Sequence, residues 1–329
     1  MDDFLCDLVL RVTGAESITA SERVQSLWSG YGEILRVTLN GAPMPSVIVK
    51  CVTPPTDANH PRGWATDQSH QRKLRSYQVE SNWYRDWSGR CSADCRVPKC
   101  LWIEQNSGQN GGQSIFVLED LNAAGYSLRK SGLCMPDVKM CLRWLAEFHA
   151  TFMSLEPKGL WPLGTYWHLA TRPDEWDVMD DDELKHKAHL IDETLSNCRF
   201  QSLVHGDAKV ANFCFADDGD DVAAVDFQYV GGGCGMKDVA YFLGSCLSEQ
   251  ECERHEDELL DFYFRELTNR LSLHHAQINP DEVQQQWRLM YCLAWADFNR
   301  FLAGWCPGHQ KLTGYSWRMT QQAFARLRS

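Results

Sequence analysis

Long apolar runs are missing from this 329-residue chain. No stretch of about eighteen apolar residues occurs, so no membrane span is expected. The first residues, Met-Asp-Asp-Phe-Leu-Cys, contain no basic stretch, and no export signal is read there. Positive charge is scarce. There are 32 Lys+Arg against 44 Asp+Glu, a net charge of −12, which argues against a nucleic-acid partner held by the bulk field. No internal repeat or low-complexity tract stands out. The 14 cysteines lack the pairing that zinc needs. Cys91, Cys95 and Cys100 form the one cluster, without a second Cys-x-x-Cys knuckle or a nearby His, and read as buried apolar cysteine. Reduced thiols and a cytoplasmic location are the expectation.

What is present is an ordinary globular mixture, 44% apolar and 23% charged, which excludes disorder and collagen. The length suits two domains, or one large domain split into lobes. Charge is uneven along the chain. Residues 1–120 hold 12 Lys+Arg and 14 Asp+Glu, and residues 121–329 hold 20 and 30. The acid excess of the second part is either a solvated surface or an environment favouring a neutral or cationic ligand.

Two β-rich runs, 33–40 and 46–52, are joined by Gly41-Ala42-Pro43-Met44-Pro45 and predict a hairpin. A loop is expected over 53–66, and a polar helix over about 67–88. Further strands are expected at 100–105 and 114–120, around a Gly/Asn/Gln-rich loop at 106–113. Residues 1–120 thus read as a mainly β lobe with one long helix. Pro136 then opens a helix whose Val138, Cys141, Leu142, Leu145, Phe148 and Phe152 fall on one face. Helices are also expected near 180–196, 236–247, 250–272, 280–303 and 315–327, with short apolar runs at 202–204, 213–215 and 222–227. The second lobe, 121–329, is therefore mostly helical with a small β insert.

The most informative stretch runs His205-Gly206-Asp207-Ala208-Lys209-Val210-Ala211-Asn212, followed by Val225-Asp226-Phe227-Gln228. Phosphoryl transfer from ATP needs this set of groups. One carboxylate orients a hydroxyl and accepts its proton, while an amide oxygen and a second carboxylate hold Mg²⁺ against the phosphates. Each residue alone has a structural reading, as a turn cap, an αL position or a strand end. The weight comes from the other parts appearing in order. Val47-Ile48-Val49-Lys50 supplies a cation for phosphates, and Glu80 in the expected long helix supplies its ion-pair partner. Ser29-Gly30-Tyr31-Gly32-Glu33 precedes a strand, as a phosphate-covering loop would, although two glycines fit any turn. Phe116-Val117-Leu118-Glu119-Asp120-Leu121 offers backbone groups, at Glu119 and Leu121, for an adenine edge.

In these motifs the chain resembles the protein-kinase-like fold in its small-molecule branch: aminoglycoside phosphotransferases, choline kinases and ecdysteroid-kinase-like proteins. The resemblance runs from about Leu27 to the last helices. It implies a bilobal α+β fold, with a β-rich nucleotide-binding lobe (1–120) and a mainly helical catalytic and substrate-binding lobe (121–329). By resemblance, Asp207 is the catalytic Asp, Asn212 and Asp226 are the Mg²⁺ ligands, and Lys50 binds phosphate. Asp238-Val239-Ala240-Tyr241 resembles the helix start that follows in this branch, and Asp238 reads as a helix cap.

Two departures matter. The glycine loop is not the full Gly-x-Gly-x-x-Gly, so fewer loop–phosphate contacts are expected. Lys209 is typical of protein kinases rather than small-molecule relatives. It either stabilises charge on the transferred phosphate, the favoured reading, or pairs with Asp207 when no ligand is bound.

Asp226 and Asp238 are 12 positions apart, and the gap holds no Ser, Thr or Ala-Pro-Glu, which opposes a protein kinase. Its glycines suit a short tight loop that leaves the site open. Aromatics gathered at Trp161, Tyr166, Trp167, His168 and Trp176, and at Trp287, Trp295, Asp297, Arg300 and Trp305, either fill the core, the default, or cage an organic cation. His149 reads as a satisfied structural His, and His205 as a group that orients the catalytic loop. The expectation is an ATP- and Mg²⁺-dependent kinase acting on a small-molecule hydroxyl, a neutral or cationic alcohol. The rivals are a protein kinase and an inactive nucleotide-binding scaffold.

Overall fold

A computed structural model describes residues 1–27, 30–54, 67–106 and 112–328. Ser29, most of the expected loop 53–66 and the middle of the 106–113 loop lie outside the described residues. In chain order the elements are α1 (Asp3–Thr13), β1 (Ser17–Ser26), β2 (Gly32–Asn40), β3 (Ser46–Val52), α2 (Asp67–Asn82), β4 (Cys100–Asn106) and β5 (Gln113–Glu119). There follow α3 (Met135–Thr151), α4 (Pro173–Asp177), α5 (Asp182–Ser196), β6 (Ser202–Val204), β7 (Phe213–Phe215), β8 (Val222–Ala224) and β9 (Gly231–Gly233). The chain closes with α6 (Met236–Cys246), α7 (Glu249–His274), α8 (Pro280–Trp305) and α9 (Gly314–Arg326).

The chain divides into two units. The first comprises Met1–Arg90, Val97–Leu128 and Cys214–Gln228, and the second Cys91–Arg96, Arg129–Phe213 and Tyr229–Ser329. The division does not fall at one point near residue 120. The segment carrying Asp226 groups with the first unit, while Asp207 and Asn212 belong to the second.

In the first unit a five-stranded sheet runs in the order β1-β2-β3-β5-β4, antiparallel throughout. The 41–45 turn joins β2 to β3 as the sequence implies. On one face Val37, Val47, Val49 and Val117 pack with Leu5, Leu8 and Val9 of α1. That helix corrects the reading of a β lobe with one long helix. It is capped by Asp2, whose carboxylate accepts from the Leu5 amide, and it ends at Gly14 in the left-handed region. Strand β1 is exposed along almost its whole length. It has no apolar alternation to betray it and is defined by its ladder with β2.

The second unit is helical, and its helix starts follow local chemistry. Pro136 lies in the first turn of α3, Ser248 and Glu251 form a capping box on α7, and Asn279 caps α8 ahead of Pro280. All six apolar positions expected on α3 and just past its end are buried. The glycine run 231–233 corrects the tight-loop expectation. It is a strand, β9, antiparallel to β6. A Cβ at Gly231 would meet the Trp161 carbonyl oxygen at 2.3 Å, and one at Gly232 the Pro162 carbonyl oxygen at 2.6 Å. The glycines therefore allow close packing rather than an open entrance. Among the described residues no helix is long and apolar enough to cross a membrane.

Candidate active site

In the first unit, Lys50 lies on the central strand β3, opposite Ile34 of β2 and Phe116 of β5. Its ammonium donates to both Glu80 oxygens, at 2.8 and 2.7 Å. Both side chains are buried. The expected pair is thus formed. Burial pushes the Glu80 carboxyl up; Lys50 opposes this and Asp226 adds to it. The two acids therefore lie within electrostatic reach of each other.

Directly after Glu80 the α2 helix ends at Asn82 and widens into a π-helical turn, Trp83–Trp87. This turn presents Trp83 and Tyr84 to the segment after β8. The Phe227 ring stacks on Trp83, with centroids 4.4 Å apart and planes 15° from parallel, and meets Tyr84 edge-on. Gln228 accepts from Lys73 Nζ at 2.8 Å and from Ser76 Oγ at 3.3 Å, one turn before Glu80. The Asp-Phe-Gln segment is thereby fastened to the helix that carries Glu80. Asp226 itself has φ 69°, in the left-handed region that residues with side chains rarely occupy. Such a backbone persists where surrounding contacts over-determine it, commonly at functional sites.

The other first-unit candidates have structural duties. The Glu119 amide donates to the Lys99 carbonyl, and the Leu121 carbonyl accepts from the Tyr126 amide. Asp120 between them is buried and accepts from Arg36 and Ser46. A Cβ on Gly32 would lie 2.0 Å from the Cys51 carbonyl oxygen, so this glycine serves the approach of β2 to β3. Gly30 has φ 76° and open space around it, as a turn residue would.

In the second unit, β6 delivers the chain into His205-Gly206-Asp207. A Cβ on Gly206, at φ 79°, would lie 2.2 Å from the Tyr229 carbonyl oxygen, so only glycine fits there. Asp238 accepts from the backbone amides of His205 at 2.5 Å and Gly206 at 2.9 Å. It shares His149 Nε2 at 3.2 Å, while His149 Nδ1 faces the Tyr263 hydroxyl at 2.8 Å. Asp238 therefore caps this loop rather than its own helix, which corrects the helix-cap reading. His149 is satisfied in the core, and His205 Nδ1 accepts the Asp207 amide at 3.2 Å.

The Asp207 carboxylate is gripped on both oxygens. Oδ2 accepts from Lys209 Nζ at 2.8 Å and from Asn212 Nδ2 at 3.0 Å, and Oδ1 accepts from the Tyr241 hydroxyl at 3.1 Å. Lys209 is thus paired with Asp207 in this structure. Asn212 spends only its nitrogen on these bonds and on the Asp207 carbonyl at 2.8 Å. Tyr241 closes the Asp238-Val239-Ala240-Tyr241 motif, and the motif alone assigns it no role. Its position three residues after Asp238 on α6 puts it on the same face, and that spacing was the available signal. Gln228 and Lys73 carried no such signal.

The aromatic and charged cluster of the second lobe is largely core. Trp167, Trp287, Asp297 and Arg300 are all buried. Trp167 Nε1 donates to Asp297 at 3.0 Å, Arg300 donates to the Trp167 carbonyl at 2.6 Å, and Trp287 Nε1 donates to the Phe200 carbonyl at 3.0 Å. These residues cannot cage a ligand. Trp161, Tyr166 and Trp305 remain partly exposed, and Tyr166 and Tyr241 meet edge-on, with centroids 5.6 Å apart.

No curated protein matches the chain. Among solved structures, a protein of Ralstonia eutropha provisionally assigned as an aminoglycoside phosphotransferase is similar at 12% identity and TM-score 0.53. The match covers 99% of this chain and 96% of that one. The amicoumacin kinase hAmiN, solved with AMP-PNP, Ca²⁺ and Ami, is similar at 11% identity and TM-score 0.50, over 99% and 93% of the two chains. Residues 72–159 and 173–276, more than half of the sequence, match the ecdysteroid kinase-like family. The chain therefore belongs to that kinase-like family and has the protein-kinase-like fold of these structures.

Proposed function

We propose that this protein transfers the γ-phosphate of ATP to a hydroxyl of a small molecule, with Asp207 as the proton acceptor. The observation that carries the reading is the grip on Asp207. Its carboxylate stands at the end of a loop pinned by Asp238 and is oriented by Tyr241, Lys209 and Asn212. A carboxylate so fixed can accept the hydroxyl proton as the acceptor oxygen bonds to the γ-phosphorus. The bond between that phosphorus and the β–γ bridging oxygen breaks, and its electron pair leaves with ADP.

Lys50, held by Glu80, is the cation for the nucleotide phosphates. Gly30 lies in the turn before β2 and Gly32 opens that strand, and the backbone at Glu119 and Leu121 is the segment for the base. Lys209 can turn from Asp207 to the transferred group. The oxygen donors Asp226 and Asn212 fit Mg²⁺, a hard cation that takes carboxylate and carbonyl oxygen, and the strained backbone of Asp226 supports its selection as a ligand. Bound there, Mg²⁺ would neutralise charge developing on the phosphates. In this reading residues 1–120 serve the nucleotide and 121–329 serve catalysis and the acceptor, in the cytoplasm. The acid excess of 121–329 and the partly exposed Trp161, Tyr166 and Trp305 favour a neutral or cationic alcohol.

A protein kinase is the weaker reading, because the segment between Asp226 and Asp238 is short and includes the packed strand β9. An inactive scaffold is opposed by the presence of Asp207, Asn212 and Asp226 together. The test is Asp207→Asn, assayed with an acceptor found by screening ATP consumption over hydroxylated metabolites. Turnover should fall by about two orders of magnitude or more, with nucleotide affinity within about threefold. Near-normal turnover would remove Asp207 from the chemistry. Efficient phosphorylation of casein with no small alcohol accepted would sink the small-molecule assignment.

A further inference from the structure

A second lysine faces Asp207 from a distant part of the sequence. Lys311 lies in the 306–313 connection between α8 and α9. Its ammonium stands 5.0 Å from the Tyr241 ring centroid and 5.8 Å from that of Phe298. Tyr241 is the residue whose hydroxyl donates to Asp207. Among the described residues no carboxylate is within ion-pair distance of Lys311; its charge is met by two aromatic faces. Burial and Lys209 push this ammonium below the ordinary lysine value, against the pull of Asp207 and Cys246. Lys209 and Lys311 thus sit within electrostatic reach of each other and of one carboxylate. Asp238, whose oxygens accept from the loop amides, is not among the groups acting on Lys311. Two cations beside one acid leave the charge for one further anion. Lys311 also lines a cavity of about 370 Å³, together with Cys246, Glu249, Trp295 and Tyr315, while Lys209 and Asp207 lie outside its lining.

We propose that Lys311 and Lys209 together form a seat beside Asp207 for a phosphate monoester, the head group of the phosphorylated product. Lys311 is in this view a positioning residue for the transferred group. The inference rests on the phosphotransferase reading above and adds a residue outside the motifs that led to it. An isolated ammonium on an aromatic face gains more from a dianion than from further ring contacts, because charge-assisted hydrogen bonds are the stronger interaction.

The test is equilibrium binding rather than turnover. The intact protein and its Lys311→Met and Lys311→Arg variants are titrated with phenyl phosphate, inorganic phosphate and benzoate at fixed ionic strength, with ADP as a control. Phenyl phosphate should bind the Met variant about tenfold more weakly and the Arg variant within about threefold of the parent, with ADP affinity unchanged in both. Lys311→Gln serves if the Met variant does not fold, as judged by its unfolding midpoint. Equal phenyl phosphate affinity in the Met or Gln variant overturns the proposal. So does benzoate binding as tightly as phenyl phosphate with the same Lys311 dependence, which marks a carboxylate site. Lys311 dependence for inorganic phosphate alone overturns the assignment to product. If the parent protein binds no nucleotide, the phosphotransferase reading fails separately, and the anion titrations remain readable without it.

Discussion

Each unit buries a cluster of charge, and the two are balanced differently. In the first, Lys50 is paired with Glu80 while Lys73 and Asp226 act on that carboxyl from farther off, two cations and two acids. In the second, Asp297 sits between Lys237 at 3.3 Å and Arg300 at 2.9 Å. A further acid, Asp192, joins through His168 at 3.3 Å. Burial pushes the Asp297 carboxyl up, but Lys237 and Arg300 outweigh it and hold it at about 2. Glu80, by contrast, is pushed up. The second cluster is neutralised by the protein's own side chains and knits α8 to Trp167. In the first, burial outweighs the two lysines and the Glu80 carboxyl is raised, beside Asp226 with its strained backbone. Both carboxyls are buried; the direction in which each is moved separates the two clusters.

The widest break in the comparison should come from Asp297→Ala. It strands Lys237 and Arg300 in the core and should cost about 3–5 kcal/mol in urea unfolding, enough to threaten folding. A cost below about 1 kcal/mol would show that the second cluster is not structural. Next, Asp226→Ala should weaken Mg²⁺-dependent ATP binding by about a hundredfold, and Asn212→Ala by less, because it removes a neutral ligand. Calorimetry with and without Mg²⁺ reads both, and unchanged metal dependence in Asp226→Ala would take Asp226 out of the site.

The pH dependence of stability sharpens the contrast. Asp297 falls from an ordinary 3.8 to about 2 on folding. Its contribution is full above about pH 4 and is lost as pH falls through 2. The amount is about 2 kcal/mol, and unfolding midpoints followed down that window should show a slope that Asp297→Asn lacks. The smallest effect concerns Lys50→Met. Glu80, already raised, can take a proton once its partner is gone, so stability should change by less than about 2 kcal/mol while ATP affinity falls about tenfold. A large stability loss with intact ATP binding would make the Lys50–Glu80 pair a structural twin of the Asp297 cluster.

Much of this was legible in the sequence because local chemistry decided it. The β2–β3 hairpin, the α3 stripe and the helices from α5 to α9 are set by turn residues, caps and apolar period. Lys50, Glu80, Asp207, Asn212 and Asp226 could be picked out because their order along the chain is distinctive. Strand β1 was illegible because its partner, not its side chains, makes it a strand. The run at 231–233 was misread because the reason for its glycines lies about 70 positions away, in the carbonyls of Trp161 and Pro162. Asp297 and Arg300 read by default as core, with a ligand cage as the alternative, because a one-dimensional pattern cannot tell an inward-facing charge pair from an exposed one; their burial decides for the core. Lys311 carries no motif at all; only the fold brings it to Tyr241.

The stack of Trp83 on Phe227 also makes the protein its own optical probe. Indole emission responds to the ring lying against it, and this ring adjoins Asp226. With 13 tryptophans the total signal is crowded, but the difference spectrum between the parent and Trp83→Phe isolates the one indole seated on the Asp-Phe-Gln segment. Recorded during rapid mixing with nucleotide, that difference gives the rate at which the segment around Asp226 rearranges, without an attached dye and without knowledge of the acceptor.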